Sequence, residues 1–491
     1  MYKKITLLTL IASVFSLIGF SQIPNNGFDS LSADSSILPW KLRPLAGYSY
    51  SIDKTTRHSG TAALKLTSTN SDKSKFIPFS QTVPYKVSEL KKIAITAYIK
   101  CQDVQIESTL WCQVLDENGK MIGFANLGAQ GLKIAGTADW KKYSMPIMVN
   151  ANAKKLLLGG YLSGTGTAWF DDFQIEEISQ NAAPASAEVA SYIASFLKIV
   201  KENSIYTDSL NWPRLEKAVQ VISAGMTKVD EVKPVLDYVI SELRNVGDNH
   251  SYLQNKVAST QYTQTNSNPT KPESKLLDGG IGYISVPGFS TTNEKISVEF
   301  ATEIQNMILD LETKNDIKGW IVDLRGNTGG NMYPMIAGLG PLTGEGTLGY
   351  FIRMDNKKES SSPWFYKKGS SGAGKHKTVT VLKPYKLKNS NAKVAVLIGP
   401  KTNSSGEMTA ISFIGKKNAK TFGTLSGGYT TGNASFSLSD GATLLLAASF
   451  TADRNQIRYP KKITPDVLIE ASKQDSDEVL QKSSDWLLST P

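Results

Sequence analysis

Residues 320–330 read WIVDLRGNTGG, an apolar run that ends in Asp-Leu-Arg and is followed by a glycine-rich turn. The run Gly319–Leu324 is typical of a strand buried on both faces, and we expect a helix to begin near Gly330. Glycines in such a turn allow left-handed backbone and close approach to a ligand. A phosphate-binding loop is disfavoured, since no Gly-Lys-Ser/Thr follows and the dinucleotide glycine spacing is absent. A structural turn and a functional turn both remain open.

The strand–turn–helix pattern recurs at residues 394–407, which read VAVLIGPKTNSSGE and precede a helical run, Met408–Ile414. The turn places Ser404 at a helix N-terminus, where unpaired backbone N–H groups can receive an oxyanion. Thr402, Asn403 and Ser404 are also residue types that cap helices, so a purely structural cap is the alternative.

The chain contains three histidines. His58 lies in the N-terminal third and His376 in a lysine-rich stretch, whereas His250 lies in the turn GDNHS, residues 247–251, just after a predicted helix. His250 is therefore the only histidine placed in an ordered-looking turn near the predicted α/β core. A lone histidine is usually structural or solvated, so a structural role and a functional role both stay open.

Around these segments, residues 279–475 alternate between buried-type strands and amphipathic helices, which predicts an α/β core. Residues 476–491 are predicted to form a C-terminal helix. The predicted strands are Ile281–Val286, Gly319–Leu324, Thr378–Leu382, Val394–Ile398, Ala442–Ala447 and Val467–Ile469, of which the last two close the sheet.

The chain begins with a basic start, Lys3 and Lys4, and the apolar run Ile5–Phe20. This pattern predicts a secretory signal peptide over residues 1–21. The run is short for a stable membrane span, and an uncleaved anchor is the alternative. No later stretch resembles a membrane span, so we expect the mature chain to be soluble. The signal peptide itself predicts export to the periplasm or the extracellular space.

Residues 22–178 contain short β-branched runs separated by turn clusters, which predicts an all-β sandwich. Four segments resemble a jelly-roll carbohydrate-binding module: NNGFD at 25–29, HSGTA at 58–62, GTADW at 136–140 and WFDD at 169–172. The resemblance implies a glycan as a candidate ligand, and Asp29 and Asp172 as candidate calcium ligands. The aromatic residues Trp40, Tyr48 and Tyr50 are candidates for stacking on sugar or peptide, although core or turn positions are the commoner role for such residues.

A linker, Ser179–Ala185, separates the sandwich from a helical pattern. Helices are predicted around Val189–Val200, Trp212–Met226 and Val229–Val246, so residues 179–256 make a linker and a helical subdomain that carries His250. Residues 257–278 are predicted to be a polar linker. The lysines between 367 and 388 favour a solvated flexible loop over a binding site.

The composition is that of a globular protein: 40% of the 491 residues are hydrophobic and 20% are charged. These values exclude a mainly disordered or collagen-like chain. The formal net charge of +10 is mild for this length and does not indicate a nucleic-acid partner. Cys101 and Cys112 lack metal-ligand spacing, and a disulfide between them stays open. We expect no cofactor and no metal at the catalytic site, whereas calcium in the sandwich stays open.

Several segments, taken in order, resemble the family of the C-terminal processing peptidases, the tricorn protease core and the interphotoreceptor retinoid-binding protein. The resemblance covers about residues 187–471 and implies an α/β fold of the ClpP/crotonase-like type. The matching segments are DNHS at 248–251, GYISVP at 282–287, DLRGNTGG at 323–330, SSGE at 404–407, GT at 423–424, DGA at 440–442 and PD at 465–466.

The resemblance also implies roles for individual residues. Ser404 falls at the position of the nucleophile, and the N–H groups of Ser405 and Gly330 fall at the oxyanion hole. His250 falls where the tricorn-like branch places its general base. A serine hydroxyl needs a base and its tetrahedral intermediate needs preorganised donors, so these roles are chemically coherent.

Three departures from the family pattern change the expectation. The processing-peptidase branch has a lysine about 25 residues after the serine, where this chain has Tyr429, so a Ser–His arrangement is favoured over a Ser–Lys dyad. The residues that would orient the base are replaced by Asn249 and Tyr459, either of which could hydrogen-bond to the imidazole. The inserted peptide-binding domain of the family is also missing.

The sequence thus predicts a multidomain protein in which an all-β jelly-roll sandwich and a helical subdomain precede an α/β serine peptidase core. We expect an exported serine peptidase that acts on peptide or protein substrates through an acyl-enzyme on Ser404, with a glycan as a candidate ligand of the sandwich. The alternative is a non-catalytic peptide- or glycan-binding protein on the same fold.

Overall fold

The computed structural model of the chain describes residues 23–31, 37–72, 75–178, 183–263, 269–355, 358–470 and 477–489. The predicted signal peptide, residues 1–21, lies outside them. These residues divide into two compact units. The first runs to Ser186 and includes Pro213–Thr227 and Glu231–Ser241; the second contains Ala187–Trp212, Lys228–Asp230 and the residues from Glu242 onward. None of the described helices is long and apolar enough to cross a membrane.

The first unit is a β-structure in which every pairing between its described strands is antiparallel. Its strands are β1 Lys41–Leu42, β2 Tyr48–Asp53, β3 Ala63–Ser68, β4 Phe76–Pro84, β5 Lys91–Leu115, β6 Met121–Asn126, β7 Ile134–Val149, β8 Lys155–Ser163 and β9 Gly166–Glu177.

Strand β5 takes part in two groups of strands. From Ile93 to Gln102 it pairs with β9 and, over most of this length, with β7, whereas from Glu107 to Leu115 it pairs with β8 and in part with β6. Side chains from both groups fill one apolar core, because alternate residues of each strand point to the same face. That core includes Leu64, Phe79, Ile95, Leu158 and Phe170.

The two cysteines lie on this one strand. Residues 93–100 and 106–114 do not form a hairpin, because the chain continues as one strand and passes through register shifts between Ile99 and Ser108. Asp103, at φ +54°, lies within this irregular stretch, which absorbs the extra residues as bulges. Cys101 and Cys112 are both buried and both free.

The helices predicted for the middle of the chain are present, and their residues are divided between the two units. Each has an apolar side that is buried and a polar side in water, and Pro213 and Pro234 occupy first-turn positions, where a missing N–H costs nothing. The helices are α1 Ala187–Asn203, α2 Trp212–Ser223 and α3 Lys233–Asn245.

The second unit contains the rest of the regular structure. Its strands are β10 Tyr252–Gln254, β11 Glu273–Leu277, β12 Ile281–Ser285, β13 Gly319–Asp323, β14 Gly346–Asp355, β15 Lys358–Lys367, β16 Ser370–Ala373, β17 His376–Thr380, β18 Lys393–Ile398, β19 Ala419–Gly423, β20 Gly432–Ser437, β21 Thr443–Asp453 and β22 Val467–Leu468. Its further helices are α4 Lys256–Thr263, α5 Glu294–Lys314, α6 Met332–Thr343, α7 Ser405–Ile411 and α8 Glu478–Leu488.

A parallel sheet forms the centre of this unit, in the order β11-β12-β13-β18-β19-β22, with β11 antiparallel at one edge. Successive side chains of its strands point to opposite faces. Trp320 and Val322 pack on the side of α5, α6 and α7, whereas Ile321 packs with Leu487 of α8 on the other side. Helices on both faces explain why β13 is buried throughout.

The structure corrects three expectations for this region. Residues 376–380 and 443–453 do not join the parallel sheet; β17 and β21 belong to a second sheet with β10, β14, β15, β16 and β20. The polar segment 257–278 contains most of α4 and the edge strand β11, whose exposed face explains its polarity. The lysine-rich stretch, residues 367–388, contains the end of β15 and the strands β16 and β17 rather than only a flexible loop. Ser370 and Ser371 are buried in it, while Lys375 and Lys377 are exposed to water.

Candidate active site

Ser404 lies where β18 turns into α7, at the carboxyl edge of the parallel sheet. Its backbone has φ +51° and ψ −119°, a conformation that costs a non-glycine residue about 1–3 kcal/mol. A sharp strand-to-helix turn of this kind projects a serine hydroxyl out of the sheet. The Ser404 N–H donates to Oε2 of Glu407 at 2.8 Å, which closes the turn from the helix side.

The glycine-rich turn after β13 packs against this serine because β13 and β18 are neighbours in register, with Asp323 opposite Leu397. Asn403 donates its N–H to the carbonyl of Asn327 at 2.9 Å. A Cβ on Gly329 would lie 2.9 Å from the Cβ of Ser404, so only glycine permits this approach. The two turns that the sequence singles out therefore form one site.

Ser405 and Gly330 carry the two N–H groups that the resemblance assigns to an oxyanion hole. Ser405 is the first residue of α7, where the N–H has no partner within the helix. Gly330 has φ +112°, and its carbonyl accepts a 2.6 Å hydrogen bond from Oγ of Ser405. Within the described part of the chain, neither N–H has an acceptor. Both donors are thus held close together and unused.

His250 lies beside Ser404, with its Nε2 atom 2.9 Å from Oγ of the serine. Its turn is held by Asp248, whose Oδ1 accepts the N–H groups of His250 and Ser251 at 2.9 Å each. Asn433 donates from Nδ2 to the carbonyl of His250 at 3.0 Å. The turn between α3 and β10 is therefore rigid where it presents the imidazole.

Burial of the imidazole lowers the pKa of His250 from 6.5 to about 4, although a hydrogen bond to the backbone of Thr431 and the nearby charge of Asp248 oppose the shift. The ring is consequently neutral at pH 7. For Nε2 to accept the serine proton, Nδ1 must carry the ring hydrogen.

The Nδ1 atom lies 2.9 Å from Oγ1 of Thr431, a buried residue just before β20. This contact corrects the expectation that Asn249 or Tyr459 orients the ring. The Asn249 side chain is exposed, and the hydroxyl of Tyr459 donates to Oδ2 of Asp453 at 3.1 Å. Sequence reasoning missed Thr431, although it stands two residues after Tyr429, the position compared with the family lysine.

Tyr429 itself contacts His250. Its ring meets that of His250 edge to face, with 5.5 Å between centroids, and its N–H donates to Oε2 of Glu407 at 2.8 Å. The position therefore supplies an apolar wall rather than an amine.

In the first unit, the residues proposed for other ligands are largely used by the protein. Oδ1 of Asp29 accepts the N–H of Thr61 at 2.5 Å, and Oδ2 of Asp172 lies 2.6 Å from Nδ1 of His58. No cluster of three metal-ligating side chains occurs among the residues that the structure describes. Trp40 is buried in the aromatic core, and Tyr48 and Tyr50 pack against that core.

Comparisons with known proteins agree on the family. Residues 280–469 match the sequence profile of Peptidase family S41. The nisin-resistance protein of Lactococcus lactis subsp. lactis is 32% identical over 288 residues, which are 58% of this chain and 85% of that protein. The carboxy-terminal processing protease CtpA of Bacillus subtilis is 30% identical over 199 residues, 40% of this chain and 36% of that protein.

A solved structure of a lipoprotein from Streptococcus agalactiae is also similar. It is 26% identical, with a TM-score of 0.49, over 61% of this chain and 96% of that one.

Proposed function

The chain belongs to peptidase family S41, and from this premise we propose that it hydrolyses peptide bonds through an acyl-enzyme on Ser404, with His250 as the general base. The observation that carries the proposal is the 2.9 Å separation between Nε2 of His250 and Oγ of Ser404. This distance is within hydrogen-bond reach, as direct proton transfer requires.

In the proposed acylation step, Oγ of Ser404 attacks the carbonyl carbon of the substrate while its proton moves to Nε2 of His250. The carbonyl oxygen becomes an oxyanion, and the N–H groups of Ser405 and Gly330 receive it. The intermediate then collapses, the C–N bond breaks and the amine leaves with the proton from Nε2.

Deacylation repeats these steps with water as the nucleophile. His250 takes a proton from the water, the hydroxide attacks the acyl carbon, and Ser404 leaves with the proton returned from Nε2. Thr431 accepts the Nδ1 hydrogen throughout and so keeps the reacting nitrogen facing the serine.

The substrates are proposed to be peptides or proteins, which is supported by the processing protease among the relatives. The proposal also places the enzyme outside the cytoplasm, on the strength of the signal sequence expected at residues 1–21. A glycan ligand of the first unit is a further part of the proposal, supported by the sequence segments that resemble a carbohydrate-binding module.

The test is covalent labelling with a fluorophosphonate probe, which reacts with activated serines. We expect wild type to be labelled, Ser404→Ala to be unlabelled and His250→Gln to react at least about 10²-fold more slowly. Ser435→Ala is the matched control, because this serine lies exposed on β20. Wild-type labelling no greater than that of Ser404→Ala would refute the nucleophile and favour a binding protein.

A further inference from the structure

Glu407 is a buried carboxylate that no part of the proposed reaction uses. It lies in the first turn of α7 and is fully buried. Oε2 accepts the N–H groups of Ser404 and Tyr429, each at 2.8 Å. Oε1 accepts the hydroxyl of Ser426 at 2.5 Å and the N–H of Gly428 at 2.8 Å.

The four groups that donate to this carboxylate are three backbone N–H groups and one hydroxyl, none of which carries a charge. Burial raises the pKa of Glu407, while these four hydrogen bonds stabilise the ionised form. Each oxygen takes two donors, so a proton on either oxygen would displace one of them. These four donors therefore suit an ionised carboxylate better than a protonated acid or an amide.

The donors belong to the two segments that must meet for catalysis. One is the backbone of Ser404, held in its strained conformation. The other three belong to Ser426–Tyr429, and Thr431, which pairs with Nδ1 of His250, follows two residues later. One side chain thus bridges the nucleophile turn and the segment that carries the partner of the base.

We propose that Glu407 is a positioning residue that fixes Ser404 and Thr431 relative to each other and thereby sets the alignment of His250 with the nucleophile. The inference rests on the proposed function. Glu407 acts through the backbone of both segments and does not touch the reacting atoms.

Glutamine cannot replace this carboxylate. Its amide offers one acceptor oxygen, and its NH₂ group would face at least one backbone N–H, that of Gly428 in one orientation or those of Ser404 and Tyr429 in the other. Leaving buried donors unpaired costs about 1–3 kcal/mol each, so the segment Ser426–Thr431 is expected to shift away from α7. Thr431 would then no longer hold the Nδ1 hydrogen, and the imidazole would sample both tautomers.

The experiment compares Glu407→Gln with Glu312→Gln in the full chain. Glu312 is a matched control, since it is also buried and holds another segment by accepting the hydroxyl of Tyr385 at 2.5 Å and the N–H of Lys388 at 3.0 Å. Two readouts are measured, the rate constant of fluorophosphonate labelling and the ¹⁵N spectrum of histidine-labelled protein. The chain has only three histidines, so the His250 signals can be assigned by His250→Gln.

We expect wild type to show one neutral tautomer of His250, with hydrogen on Nδ1. Glu407→Gln should show a mixture of tautomers and label about 10- to 100-fold more slowly, whereas Glu312→Gln should keep the single tautomer and label within about threefold of wild type. A Glu407→Gln protein with the wild-type tautomer and labelling rate overturns the inference. An equal loss of labelling rate and of the single His250 tautomer in Glu312→Gln also overturns the inference, because the effect would then be a general destabilisation of the protein.

If Glu407→Gln does not fold, Glu407→Asp provides the test, since it keeps the charge but withdraws the carboxylate by about one C–C bond. A slower Glu407→Asp with mixed tautomers supports positioning, and a wild-type-like Glu407→Asp overturns it. The tautomer spectrum needs no reactive serine, so it tests the inference even if wild type is not labelled and the proposed function fails.

Discussion

The Nδ1 atom of His250 lies 2.9 Å from the hydroxyl oxygen of Thr431, a neutral group in the place where serine hydrolases often use a carboxylate. A hydroxyl that accepts the Nδ1 hydrogen holds the direction of the ring and leaves Nε2 free to accept the serine proton. It stabilises an imidazolium less than a carboxylate does, which agrees with the low pKa of His250.

Removing the Thr431 hydroxyl should therefore slow the reaction of Ser404 with a fluorophosphonate without unfolding the protein. Thr431→Val keeps the shape of the side chain, and the loss of one buried hydrogen bond, about 1–3 kcal/mol, predicts roughly 5- to 150-fold slower fluorophosphonate labelling. The control is Thr421→Val, which removes the buried hydroxyl that donates to Oδ2 of Asp466 at 2.9 Å. Equal labelling rates in both variants would mean that Thr431 does not orient the base.

The pH dependence of labelling should reflect the buried imidazole. The base acts when neutral, so the rate constant should rise with pH to half its maximum near the pKa of about 4 and stay level from about pH 5 to 8. An ordinary histidine would give half the maximum near pH 6.5. A midpoint near 6.5, measured by labelling from pH 3.5 to 8, would contradict the burial of the ring.

The same shift predicts a pH-dependent stability. Between pH 4 and 6.5 the unfolded chain holds a proton on His250 that the folded chain has released, so stability rises with pH in this window. The gain is at most about 3 kcal/mol, because one pKa unit corresponds to about 1.4 kcal/mol. Urea unfolding of wild type and His250→Gln at pH 4.5 and 7 should show a larger rise in wild type, because the other titrating groups, such as Asp171 with a pKa raised by burial to about 6, are common to both proteins. An equal change in both proteins would argue against it.

Gly330 should be intolerant of any side chain. A Cβ there would lie 2.1 Å from the carbonyl oxygen of Phe289, at φ +112°. Gly330→Ala is expected to destabilise the protein by roughly 3 kcal/mol or more. Gly346 has a similar φ of +120° but open space around its Cβ position, so Gly346→Ala should cost only about 1 kcal/mol. If chemical unfolding gave the same loss of stability in Gly330→Ala and Gly346→Ala, a steric role for the Gly330 turn would be contradicted.

The Tyr429 hydroxyl should be dispensable. The ring edge contacts His250, and the residue is 38% exposed, so Tyr429→Phe is expected to label within about threefold of wild type. Ser404→Ala, measured beside it, marks complete loss. A tenfold or greater loss in Tyr429→Phe would show that the hydroxyl takes part in the chemistry.

Local sequence patterns were sufficient to predict many of the strands and helices. Apolar runs bounded by turn residues predict β12, β13 and β18, and helical periodicity predicts α1 to α3, because these signals depend on neighbours along the chain. Such local patterns do not predict which sheet a strand joins. The strand β21 has the same apolar character as a strand of the parallel sheet, and its pairing with β10, β14 and β20 depends on distant residues.

The candidate site likewise has a part that local sequence predicts and a part that depends on the tertiary structure. Ser404 and Gly330 stand in strand–turn–helix segments whose residue types predict their local geometry, so the sequence by itself determined the nucleophile turn and the glycine turn as candidates. Only the tertiary structure decided which group faces Nδ1 of His250. Thr431 is 181 residues away along the chain, and a threonine hydroxyl carries no pattern that distinguishes an orienting partner from any other buried threonine. Its role arises because Glu407 and the second sheet bring its segment beside His250, and that placement depends on contacts between distant segments.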